Sequence, residues 1–187
     1  MSKGKLVIIG GGNSSPIMAT LGKLAGYHTT VLTRKPDKWS LDVGFKNDDL
    51  EYINKEEVRA TIDSVTSDPA TCIPDADVIF IAGLPIHLNP VVLENIKPHI
   101  NREKEFHIGS ICAYGGFNWV CAKTLGPGKY HIFGTQLIPW CCGTHEYGKT
   151  GYVFGAKRML RIATENGKDG VGIKDIMRDI LQIPDLV

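Results

Sequence analysis

Residues 7–35 read VIIGGGNSSPIMATLGKLAGYHTTVLTRK, and this stretch decides the fold. An apolar, β-rich run (Leu6 to Ile9) enters three glycines. Behind them Ile17, Met18, Leu21, Leu24 and Ala25 fall at helical spacing and predict one apolar face. Ser14 or Ser15 is the expected cap, Pro16 suits the first turn, and Gly26 ends the helix. His28 to Thr33 then predicts a second strand. Strand, glycine turn, helix and strand in that order form a βαβ unit.

Gly10-Gly11-Gly12-Asn13-Ser14-Ser15 fits G-x-G-x-x-small in the context that gives the pattern meaning. Gly10 makes the tight turn, Gly12 lets backbone approach a pyrophosphate, and Ser15 is small enough for helix–strand packing. Exposed N–H groups at the helix start, with the positive end of its dipole, stabilise an anion by about 0.3–1 kcal/mol before direct hydrogen bonds. Gly10, Gly12, Asn13, Ser14 and Ser15 are therefore the expected pyrophosphate binders. A ligand-free structural turn is the plainer alternative. A nicotinamide site of the NAD type usually places an acid at the end of the second strand. Here Thr33-Arg34-Lys35 stands there, and Asp37 comes only after Pro36. Arg34 and Lys35 suit a 2′-phosphate, which predicts NADP(H) over NAD(H); two solvated surface cations are the alternative.

Working outward, residues 36–57 are polar and turn-rich, with a segment around Trp39 to Phe45 that periodicity does not assign. Val58 to Val65 predicts a third strand, and Val78 to Ala82 a strand covered on both faces. Helices are expected from Asn89-Pro90 to about Pro98, and over Phe117 to Leu125. Strands are expected at Phe106 to Ile108 and Tyr130 to Gly134, with two more in residues 149–164. Ile173, Ile176, Met177, Ile180 and Leu181 predict a last helix. The alternation predicts an α/β, Rossmann-type doubly wound fold: a mostly parallel sheet with helices on both faces, in one domain spanning 1–187.

With 43% apolar and 22% charged residues in 187, the composition suits a globular domain. A net charge of +1 without basic runs argues against nucleic-acid binding, and no apolar stretch is long enough for a membrane span. The start shows no signal-peptide pattern, and an odd five cysteines without paired spacing point to a reducing cytoplasm. Cys141, Cys142 and His145 lack the spacing of a zinc site, so no metal is expected. Cys142 is weighed as a reactive thiol against a buried cysteine, with burial preferred. His87, after the fourth strand, is read as a helix-entry residue or a pocket wall in preference to a proton donor.

Three further stretches, IFIAGLPIHLNPVVLENIKPHI (79–100), GSICAYGGFNWVCAKTLG (109–126) and FGTQLIPWCCGTHEYGKTGYVFGAKR (133–158), resemble the nucleotide half of octopine/nopaline dehydrogenases. The resemblance runs from Lys5 to about Arg158. It implies an enzyme in which NAD(P)H reduces the imine of an amino acid and a 2-keto acid. It also implies that Leu84, Pro85 and His87 border the cofactor ribose and nicotinamide, and that residues 139–142 face the substrate. The family's catalytic histidine, carboxylate and substrate arginine belong to a C-terminal helical domain whose segments this chain does not contain, so no catalytic residue is expected here. Related dehydrogenases of glycerol phosphate or small keto acids, and a non-catalytic NADP-binding module, are the rival readings.

Overall fold

A computed structural model describes residues 2–48, 56–82, 84–165 and 170–187. In chain order the elements are β1 (Lys5–Ile9), α1 (Ser14–Leu24), β2 (His28–Leu32), β3 (Asp42–Asn47), β4 (Glu57–Thr61), β5 (Ser64–Thr66) and β6 (Val78–Ile81). They continue with α2 (Asn89–Ile96), β7 (Phe106–Ser110), α3 (Phe117–Leu125), β8 (Tyr130–Thr135), β9 (Trp140–Glu146) and β10 (Thr150–Ala156). The chain closes with β11 (Met159–Leu160), β12 (Ile162–Thr164), α4 (Gly170–Leu181) and β13 (Asp185–Leu186).

The main sheet runs β12-β8-β7-β6-β1-β2-β5, parallel except for β12. Numbered by appearance within this sheet, its six parallel strands read 6-5-4-1-2-3, the doubly wound dinucleotide-fold order. The order reverses between β1 and β6, and side chains of these two strands alternate between two cores. Leu6, Ile8, Val78 and Phe80 pack with α1 and α4; Val7, Ile9, Ile79 and Ile81 pack with α2 and α3. All eight are at most 5% exposed. At about 1.5–3 kcal/mol each, as upper estimates, they outweigh exposed ion pairs such as Lys3–Asp179, worth about 0–1 kcal/mol. Helices on both faces are thus present.

A second sheet, β4-β3-β10-β9, lies against α1 and was not expected. It gives the unassigned Trp39 to Phe45 stretch its structure: Val43 and Phe45 on β3 are fully buried in the core shared with α1. It also corrects the third strand. The Val58 to Val65 run divides, β4 pairing antiparallel with β3 and β5 parallel with β2. The division falls at Asp63, whose carboxylate accepts from the Thr29 N–H and from Lys23 at 2.7–2.8 Å, pinning the chain at the foot of the main sheet. Residues 149–164 hold three strands rather than two, because β10 joins the second sheet and β12 the first.

Sandwiched between the sheets, α1 is buried all round from Ser14 to Gly22, not along one stripe. A Cβ on Gly22 would meet Leu6 at 2.4 Å, so glycine sets the close approach of helix and strand. Leu24 departs from the expected face and is half exposed. The final helix follows its pattern, with Ile173, Met177, Ile180 and Leu181 at 0% exposure. Among the described residues no helix is long and apolar enough to cross a membrane.

Candidate functional site

The glycine turn sits at the carboxyl end of β1, where the strand order reverses. Gly10 has φ +137°, and a Cβ there would lie 2.0 Å from the Ala82 carbonyl oxygen at the end of β6. Only glycine fits that position. The Gly10 N–H donates to Leu32 O at 3.0 Å, so the turn is tied to β2 as well. Among the described residues, the N–H groups of Gly11 and Gly12 meet no acceptor. They are ready donors for an anion.

The expected serine cap is not what forms. Ser14 and Ser15 are both inside the helix and buried, and the Ser15 hydroxyl donates to Ala82 O at 3.1 Å. That bond closes the same β1–β6 junction from the helix side, a use for which serine replaces the third glycine. Asn13 occupies the cap position without a side-chain cap. Its amide instead spans to β9, donating to Cys142 O at 3.4 Å and accepting from Thr144 Oγ1 at 2.7 Å.

A cleft of about 720 Å³ opens over the turn, lined by Gly10, Gly11, Gly12, Thr33, Arg34, Lys35, Leu84, Pro85, residues of α2 and Tyr147. It thus brings together six sequence-predicted positions from three strand ends. The side chains of Arg34 and Lys35 are exposed, and among the described residues neither has an ion-pair partner. Asp37 lies in the short 3₁₀ turn Pro36–Lys38 and does not line the cleft. Asn13, Ser14, Ser15 and His87 are not among the lining residues; His87 is exposed in the 3₁₀ turn Ile86–Leu88. No imidazole or carboxylate occurs among the described residues of the lining.

Tyr147 was missed by the sequence reading. It lies between β9 and β10, more than a hundred residues from the glycines, and no local pattern signals its arrival. Trp140, expected at the substrate face, is 2% exposed and belongs to the core. Burial, with a contribution from Cys141, pushes the Cys142 thiol up to about 11, so it is not a thiolate near neutral pH. His107 and His131 stack at 5.2 Å, and His131 bonds Glu105, as expected of hydrogen-bonded strand residues.

A second cavity of about 670 Å³ lies between α3 and strands β8 and β12, with Tyr114, Asn118, Gln136 and Arg161 in its wall.

No family model matches the chain. It is 25% identical to octopine dehydrogenase of Mizuhopecten yessoensis over 175 residues, which cover 87% of this chain and 42% of that protein. A solved octopine dehydrogenase with NADH and L-arginine superposes with TM-score 0.83 at 20% identity, over 99% of this chain and 49% of that one. Yersinopine dehydrogenase with NADP+ bound gives 0.76 at 14%, over 97% and 46%. The chain spans about half the length of the curated relatives it matches. Its relatives and structural neighbours include octopine dehydrogenases, and it corresponds to their N-terminal half.

Proposed function

We propose that residues 1–187 form the dinucleotide-binding domain of an opine-dehydrogenase-like oxidoreductase, which reduces the imine of an amino acid and a 2-keto acid and prefers NADP(H) to NAD(H). One observation carries the reading. The unpaired N–H groups of the glycine turn and the Arg34–Lys35 pair line a single cleft at the point where the strand order reverses. The relatives add the nicotinamide chemistry: solved neighbours hold NADH or NADP+.

Gly11, Gly12 and the start of α1 hold the pyrophosphate through backbone N–H groups, and Gly10, whose own N–H is tied to Leu32, makes the turn that lets it approach; Asn13, Ser14 and Ser15 shape the turn and place it. Arg34 and Lys35 take the 2′-phosphate. Among the described residues no acid lines the cleft to bind a ribose 2′-hydroxyl in the NAD manner. A charge-assisted hydrogen bond contributes about 1.5–3 kcal/mol, a ten- to hundredfold preference. Leu84, Pro85 and His87 border the nicotinamide half. The bound cofactor supplies hydride. The described cleft offers no imidazole or carboxylate to move a proton, so protonation and substrate anchoring fall to a helical domain like the one that completes the family. The odd number of cysteines without paired spacing supports a reducing cytoplasm.

Calorimetry of residues 1–187 with NADPH and NADH tests the proposal. Both bind, NADPH at least several-fold tighter. Failure to bind either removes the reading; equal affinities remove the NADP preference.

A further inference from the structure

The β9–β10 hairpin reaches the glycine turn at two places. Asn13 is one, through Cys142 and Thr144. Tyr147 is the other: a Cβ built on Gly11 would lie 2.7 Å from the Tyr147 hydroxyl and 3.0 Å from that of Thr33. Two hydroxyls therefore flank one small space at the end of β2, next to Arg34 and Lys35. Thr33 is only 8% exposed, yet among the described residues neither hydroxyl has a hydrogen-bond partner. Both residues line the cleft. Each hydroxyl can donate and accept.

The tyrosine is held in place. Trp39 meets its ring edge-on, with centroids 6.5 Å apart and planes at 77°. Gly148 has φ +68°, and a Cβ there would lie 2.4 Å from Lys38 O. The Ser40 N–H donates to Gly148 O at 2.9 Å. Residues 38–40 follow shortly after Arg34 and Lys35, so one braced segment carries the phenol and the two cations together.

We infer that Tyr147 and Thr33 grip the adenosine ribose of the dinucleotide at its 2′ end, making Tyr147 a cofactor-binding residue delivered by the second sheet. This rests on the proposed dinucleotide reading of the cleft. Arg34 and Lys35 neutralise the 2′-phosphate, while the two hydroxyls fix where its oxygens and the ribose sit.

The test uses residues 1–187, wild type, Tyr147→Phe, Tyr147→Ala and Thr33→Val. Calorimetry measures NADPH and 2′,5′-ADP, and thermal melting monitors the fold. Tyr147→Phe keeps the ring against Trp39 and should weaken both ligands about three- to tenfold without moving the melting temperature. Thr33→Val should weaken both similarly. If Tyr147→Phe binds like wild type, if only Tyr147→Ala loses affinity, or if Tyr147→Phe loses affinity and melting temperature together, the inference is overturned. The reading of the cleft survives those results. If wild type binds neither NADPH nor 2′,5′-ADP, both fall.

Discussion

The β1-α1-β2 unit and the four-stranded second sheet meet at the glycine turn, and they are made in opposite ways. In the first, Val7 pairs with Thr30 across a helix that starts and ends within the same short segment. In the second, Gly44 pairs with Thr150, so two distant excursions of the chain must find each other before either gains a partner. Closing so long a loop costs more conformational entropy, though only logarithmically more. The second sheet recovers that cost by burying Val43, Phe45, Val58, Trp140 and Val153 against α1. The lesson is a division of labour: a local unit supplies the backbone donors, and a non-local one supplies Tyr147 above them.

Substitutions can break or sharpen this contrast, and the largest effect is expected at Gly10. Gly10→Ala forces a side chain into φ +137° and onto the Ala82 carbonyl, a backbone atom that cannot swing away. Chemical denaturation should show a loss of about 3 kcal/mol or more. Gly11→Ala meets instead two side-chain ends, the Tyr147 and Thr33 hydroxyls at 2.7 and 3.0 Å, rather than backbone, and should cost less, about 1 kcal/mol, in the same experiment. A similar large loss for both would mean that the hairpin is as rigid as the main sheet.

Arg34→Ala comes next. NADPH affinity should fall by about ten- to a hundredfold while NADH changes little, measured by titration calorimetry at low salt. Asn13→Ala removes both side-chain bonds to β9 and tests how firmly the second sheet grips the turn. Stability should drop by about 1 kcal/mol, with slower-protected β9 amides exchanging faster.

The smallest effect concerns pH. Burial by itself would raise the Asp63 pKa, but the bonds from Lys23 and the Thr29 N–H outweigh it and hold the carboxyl below its usual range. A folded pKa below the unfolded one contributes stability above the unfolded value, lost as pH falls through the folded one. Wild type should therefore lose stability below about pH 4 more steeply than Asp63→Asn, as followed by urea midpoints.

Residues 7–35 were legible because the signals that mark their elements are local, an apolar run, a helical period and glycines at the bends, even though their packing is completed by distant residues such as Ala82. The same holds for α2, α3 and α4. The Trp39 to Phe45 stretch was not, since DVGFKN becomes a strand only once α1 and β10 cover it. The serines misled for a related reason. A cap is a local use of a hydroxyl, whereas Ser15 bonds to Ala82, a residue brought beside it by β6.

The candidate site divides along the same line. Local sequence sufficed for the turn, the cations after β2 and the mostly parallel α/β class, because each depends on backbone geometry and periodicity over a few residues. Which of these residues share a cleft, that Asn13 turns toward β9 and that Tyr147 stands over Gly11 emerged only from the folded chain. Those are contacts between segments far apart in the chain. Their energies exist only when the whole core has formed, so no short stretch of sequence carries their signal.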